Sequence, residues 1–192
     1  MADELLDETD EEFEEDAESP EERARREAAL AHVRIMGDPA LRARALEVTA
    51  IDGPLRERIE WMREIMDGAN GVGLAATQVG MLARVLVYRV ELESPTAALV
   101  NPVLEWRSDE TEPGEEGCLS IPGIRVEVDR PIHVRVAALD ENGRPRTIEA
   151  SGFEARVLQH EIDHLDGVLM LDRVDRGQRR EAMRAWRERQ AA

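Results

Sequence analysis

The segment His160-Glu161-Ile162-Asp163-His164 sets two imidazoles four residues apart with a carboxylate between them. On an α-helix, residues i and i+4 share a face, so both rings come within reach of one cation. Glu161 falls on the same side, placed to hold a water molecule beside that cation and to move its proton. The bare pattern also fits a helix that carries two surface histidines. His32 and His133 are the chain's other histidines, so half of a scarce residue type falls within this one motif. Two ligands leave a catalytic metal site incomplete, and Cys118, the only cysteine, is the strongest candidate for a third. It lies between an acidic, turn-rich segment and Ser120-Ile121-Pro122, hardly the middle of a core strand. As a thiolate it would leave a fourth position open for water. As a free thiol in a core it would be only a small hydrophobe.

A glycine-rich stretch needs separate weighing. Gly71-x-Gly73-x-x-Ala76, with Glu91 twenty residues after Gly71, formally fits a dinucleotide fingerprint. That fingerprint requires a strand immediately before it, whereas residues 55–66 read as a helix. The glycines are expected instead to let another backbone approach closely, and Gln78 offers an amide that both donates and accepts.

The elements that must position these residues follow from periodicity. Placed at about 100° intervals, Ala155, Leu158, Ile162 and Leu165 form an apolar stripe distinct from the stripe of Val157, His160, Glu161 and His164. Arg156, Gln159, Asp163 and Asp166 take the remaining sector. Ser151 and Glu154 read as a capping box that opens this helix, and Gly167 as its end. A second helix over 55–66 lines up Leu55, Ile59, Met62 and Met66. Residues 23–35 read as a short helix that runs into Gly37-Asp38-Pro39. Strands are expected over 85–90, 98–104, 131–139 and 146–150, the last two joined by a hairpin turn at Asp140–Gly143. Pro102 within the second of these points to an edge strand or a bulge. Residues 108–117 read as a loop, 168–171 as a short strand and 173–189 as a basic helix. Strands arranged in hairpins, not alternating with helices, indicate an α+β fold over a parallel α/β sheet.

Composition narrows the functional classes. The 192 residues carry 42 Asp and Glu against 25 Arg and no Lys, a net charge of −17. A Schiff-base lysine and a phosphate-loop lysine are therefore excluded, as is an internal disulfide. Residues 1–22 hold 13 of the acids and no base. Such a segment buries too little apolar surface to offset its ordering entropy, so 1–22 is expected to be a disordered acidic tail. Residues 23–192 then form one catalytic domain of a size that one core can support. No run of 18 apolar residues spans a membrane, and the N-terminus lacks the form of a secretory signal, so a cytoplasmic protein is expected.

Three blocks together resemble the signature motifs of bacterial peptide deformylases: Gly71-Val-Gly73-Leu-Ala-Ala-Thr-Gln78, Glu116-Gly-Cys118-Leu-Ser and Gln159-His160-Glu161-Ile-Asp-His164-Leu. They occur in the family's order, within a similarity spanning roughly residues 30–175. The resemblance implies antiparallel sheets packed around a central helix that bears the histidines. It implies removal of the formyl group from the N-terminal methionine of new polypeptides. Cys118, His160 and His164 would be the metal ligands and Glu161 the acid/base. Gln78 and the backbone N–H of Leu119 would surround the developing oxyanion. The backbone at Val72 and Gly73 would pair with the peptide, and Arg125 would lie near it. Val157 and Val72 are candidates to line the methionine pocket. Ligand softness allows Zn²⁺ or Fe²⁺; the resemblance implies Fe²⁺ natively, with Zn²⁺, Ni²⁺ or Co²⁺ as substitutes. The partners implied are formylmethionyl peptides and nascent chains, with residues 173–192 docking on the ribosome, and the protein is expected to be a monomer. A zinc endopeptidase shares the His-Glu-x-x-His motif but takes its third ligand downstream, where Asp172 and Asp175 stand. A non-enzymatic paralogue would need neither Glu161 nor Gln78.

Overall fold

The computed structural model describes residues 18–91 and 94–191. The expected disorder of the acidic tail lies outside these for residues 1–17. Residues 18–22 belong to an ordered start: Ser19 and Glu22 form a reciprocal capping box, and helix α1 runs Pro20–Leu30. α1 thus starts three residues inside the segment assigned to the tail, because Ser-Pro-Glu-Glu supplies both a cap and a proline suited to the first turn. α1 also stops short of 35.

Helix α2 (Gly53–Gly68) is capped by Asp52, whose side chain accepts from the Leu55 amide at 2.9 Å. Its predicted stripe of Leu55, Ile59, Met62 and Met66 is buried throughout. Seven strands follow: β1 (Gly73–Ala75), β2 (Val85–Tyr88), β3 (Ala97–Arg107), β4 (Thr111–Gly117), β5 (Arg125–Pro131), β6 (His133–Leu139) and β7 (Pro145–Ser151). Five of them form an antiparallel sheet in the order β1-β2-β3-β6-β7, and β4 with β5 forms a separate two-stranded hairpin. Helix α3 (Gly152–Leu165) carries the His-Glu-x-x-His motif, and α4 (Arg176–Ala191) follows a 3-10 turn at Met170–Asp172.

The large sheet is covered on both faces. Leu86 and Tyr88 of β2 pack with Ala155, Leu158, Ile162 and Leu165 of α3, while Val85 and Val87 pack with Ile59, Met62 and Met66 of α2. Alternation along a strand explains this division, since successive side chains leave opposite faces. A third cluster joins Val126 and Val128 of β5 to Leu169, Met170, Leu171 and to Ala182 and Trp186 of α4. α3 therefore lies between the sheet and the hairpin, the central helix of an α+β fold.

Several expectations change in detail. β3 is an interior strand, so Pro102 is tolerated by a bulge: the register with β6 shifts between Val100 and Val103. Asn101 takes a left-handed φ of 53° there, and its amide exchanges hydrogen bonds with the Val48 backbone at 2.8 and 2.9 Å. Within the expected loop over 108–117, Thr111–Gly117 is in fact β4, paired residue by residue with β5. Its acidic side chains, apart from the buried Glu116, face solvent, which hid the strand. β5 itself alternates exposed and buried along Arg125–Pro131, a pattern legible in Val126, Val128 and Arg130. Residues 168–171 form no strand and enter the 3-10 turn. Ser151 makes no side-chain cap, and Glu154 instead accepts from the Tyr88 hydroxyl at 3.1 Å. No described helix is long and apolar enough to cross a membrane.

Candidate active site

α3 is oriented by its apolar stripe, which turns His160, Glu161 and His164 away from the sheet's core and toward β1 and β4. Residues 116–118 close β4 and bring Cys118 to meet them. The ligand atoms of Cys118, His160 and His164 all lie within 4.8 Å of one another. Cys118 Sγ is 3.2 Å from His164 Nε2, and the two imidazole centroids are 4.9 Å apart. A thiolate and two imidazoles at this spacing are a soft donor set suited to a transition-metal ion. His32 stacks edge-on against Trp61 and His133 is exposed at the start of β6, so neither joins the group. The downstream carboxylates expected of an endopeptidase are engaged elsewhere: Asp172 pairs with Arg42 and Arg179, and Asp175 accepts from the amides of Gly177 and Gln178.

Glu161 is 4% exposed, and its Oε2 has no hydrogen-bond partner among the described residues. Burial, partly offset by the charge of His160, lifts its carboxyl to about 7. A buried carboxylate oxygen without a partner is costly unless a ligand or a proton meets it. Gly73 makes room for it, because a Cβ there would stand 2.8 Å from Glu161 Cγ. The glycine thus admits the Glu161 side chain, where the sequence pointed to a neighbouring backbone. Gln78 is also buried: its Oε1 accepts from the Ala75 amide at 2.9 Å, and its Nε2 donates to Ser120 Oγ at 3.2 Å while lying 3.6 Å from Cys118 Sγ.

The supporting network is what sequence reasoning missed. His160 Nδ1 meets Glu116 Oε2 at 2.9 Å, which directs Nε2 toward Cys118. Burial works to raise the Glu116 carboxyl, but hydrogen bonds from Arg130 and His160 override it and hold the group at about 2. Arg130 forks onto both Glu116 oxygens at 2.9 Å and reaches Asp163 Oδ2 at 2.5 Å. The sector of α3 that holds Gln159 and Asp163 is therefore buried against β5. The signal was Glu116, which stands in the cysteine block without an evident role, and the lone Arg130 on the inward face of an alternating strand.

A cleft of about 610 Å³ opens over these groups, with Val72, Gly73, Leu119, Arg125 and Val157 along its walls. Val72 and Phe153 offer exposed apolar surface at its rim, 44% and 57% accessible. Arg125 is exposed and pairs with Glu115 at 2.9 Å. β1 is an edge strand of the five-stranded sheet, so one side of Gly73–Ala75 carries no ladder partner.

A Cys/His/His donor set beside a buried, unpartnered carboxylate, at the foot of a cleft along a sheet edge, defines a metallohydrolase. A sequence profile of the family described as polypeptide deformylase matches residues 30–180. A peptide deformylase of Treponema pallidum subsp. pallidum is 46% identical over 154 residues, covering 80% of this chain and 94% of the relative. The crystal structure of a peptide deformylase from Synechococcus elongatus in complex with actinonin superposes with a TM-score of 0.77 at 44% identity, covering 80% of this chain and 85% of that one. That of the Thermus thermophilus peptide deformylase gives 0.77 at 42% identity, covering 82% and 93%. The chain belongs to the polypeptide deformylase family, and its activity is hydrolytic removal of the N-terminal formyl group from peptides.

Proposed function

We propose that Cys118, His160 and His164 hold one divalent metal ion and that Glu161 is the acid/base of deformylation. The observation that carries this reading is the three donor atoms within 4.8 Å of one another next to the unpartnered Glu161 Oε2. A divalent ion held there would supply Lewis acidity toward the formyl carbonyl and the attacking water. Glu161, raised toward neutrality by burial, accepts that water's proton and passes it to the departing amine. Gln78 Nε2 and the Leu119 N–H donate to the oxyanion as it forms, each worth about 3 kcal/mol in a site of this kind. The unpaired side of β1 at Val72 and Gly73 receives the peptide main chain as an added strand. Val72 and Val157 line the methionine pocket, and Arg125 stands where the peptide leaves the cleft.

Fe²⁺ is the native ion in this reading, with Zn²⁺, Ni²⁺ or Co²⁺ as substitutes; the donor set accepts all of them. Residues 23–192 act as a single catalytic domain, monomeric and cytoplasmic, on formylmethionyl nascent chains. Residues 173–192, with seven arginines against three acids, dock on ribosomal RNA through α4, whose Ala182 and Trp186 are buried against the body. The test is formate release from formyl-Met-Ala-Ser, with metal analysis of the same samples. Loss of turnover on chelation and its return with Fe²⁺ are expected. Full activity of a metal-depleted sample would reject the ligand assignment.

A further inference from the structure

The cleft has two walls that belong to different sheets. Residues 71–73 lead into β1 of the large sheet, while residues 115–119 end β4 of the hairpin, and no ladder joins the two sheets among the described residues. The distance between the walls therefore depends on what ties the hairpin to α3. Arg130 ties β5 to Asp163 of α3, His160 meets Glu116 of β4, and Gln159 donates to the Pro131 carbonyl of β5. A further tie is Arg156, one turn before His160 on α3, whose side chain is 13% exposed.

The Arg156 guanidinium meets both strands of the hairpin at once. Its Nη2 donates to the Glu112 carbonyl at 2.7 Å. Its Nη1 donates to the carbonyls of Val128 at 2.7 Å and Gly114 at 3.3 Å, and to Glu116 Oε1 at 3.0 Å. Gly114 and Val128 are cross-strand partners, so the fork is centred on one rung of the hairpin, with Glu112 and Glu116 on the rungs to either side. The grip requires glycine on that rung, because a Cβ at residue 114 would stand 2.6 Å from Nη2 and 2.9 Å from Nε. With three carbonyls and a carboxylate holding it, the guanidinium cannot withdraw from such a Cβ without losing its partners.

We propose that Arg156 is a positioning residue that pins the β4–β5 hairpin onto α3 and so sets the separation of the two walls between which the peptide binds. The inference rests on the reading of this cleft as the peptide site. It makes Arg156 and Gly114 one device: removing the guanidinium or crowding it from the facing rung releases the same wall. Release weakens peptide binding more than chemistry, because Arg156 touches none of Cys118, His160, His164 and Glu161 and reaches His160 only through Glu116, both of whose oxygens Arg130 still holds.

The test is steady-state kinetics on formyl-Met-Ala-Ser with the metal-loaded full chain, comparing wild type, Arg156→Leu, Gly114→Ala, Arg156→Lys and the Arg156→Leu/Gly114→Ala double variant. Metal content and thermal melting are followed on each, and the product peptide Met-Ala-Ser is titrated to read binding apart from turnover. Each of Arg156→Leu and Gly114→Ala should raise KM and the product's Kd about tenfold with kcat within roughly threefold. The lysine variant should fall between, since an ammonium cannot serve four acceptors in one plane. Gly114→Ala should add nothing once Arg156 is gone. KM within about twofold of wild type in both single variants, fully additive effects, or equal losses of kcat and kcat/KM would each overturn the proposal. If Arg156→Leu does not fold, Gly114→Ala alone decides, because it deletes no side chain. Turnover by the wild type reports separately on the reading of the cleft.

Discussion

At the scale of residues, the site separates groups that face the substrate from groups that orient them. The Oε2 of Glu161 sits beside the donor group without a partner among the described residues, so replacement of Glu161 by an isosteric amide should leave the donor geometry intact. Glu161→Gln is expected to retain metal and lose about 10³-fold in kcat on formyl-Met-Ala-Ser, within the usual range for removing a general acid/base. Retention of activity to within tenfold would exclude the role. Glu116 acts one step back, through His160 Nδ1. Glu116→Gln keeps a hydrogen-bond acceptor but removes the charge that opposes Arg130 and fixes the imidazole's tautomer. Metal affinity is expected to fall about 10- to 100-fold, read by competition with a chromophoric chelator. Unchanged affinity would show that the imidazole needs no such anchor.

At the scale of elements, α3 works because three different neighbours meet its three sectors. The apolar stripe docks on the sheet, the His/Glu stripe faces β1 and the end of β4, and Asp163 is locked to Arg130 of β5. The contact between α3 and β1 leaves no room for a methyl group at residue 73. Gly73→Ala should therefore displace Glu161 or push β1 outward. A misplacement of about 1 Å is expected to cost about 10²-fold in kcat, with about 1–3 kcal/mol of stability lost to overpacking. Kinetics and a urea melt measure the two. A fully active Gly73→Ala enzyme would mean that Glu161 sits elsewhere during turnover.

At the scale of the whole molecule, the three donor side chains come from the end of a hairpin and from a helix. Cys118 follows the hairpin, and the histidines lie on the helix between hairpin and sheet. An ion that joins them cross-links residues 42 and 46 positions apart in the chain. At an ion concentration about a thousandfold above its Kd, binding should add about 4 kcal/mol to the folded state, or about 10 °C in melting temperature for a chain of this size. Calorimetry of the chelated and reloaded protein checks this, and identical melts would argue that the three side chains bind no ion in the folded chain.

Much of this was determined locally and was readable as text. The i, i+4 histidines, the stripe of α2, the strands that alternate, and the turn at Asp140–Gly143 all depend on neighbours within a few residues, where periodicity and turn chemistry operate. The three blocks also carried the family. What the text could not supply were relations between distant segments. Thr111–Gly117 looks like a loop because it is acidic and rich in Pro and Gly; only pairing with Arg125–Pro131 makes it a strand. Gly73 points to a close-lying backbone and Gly114 to turn punctuation, yet each is required by a side chain arriving from α3, Glu161 in one case and Arg156 in the other. Arg130 and Asp163 look like surface charges until a hairpin folds over the helix and buries them together. Backbone propensity is decided within a turn or a rung, whereas burial and ion pairing depend on which segments meet, and that is settled only when the whole chain packs.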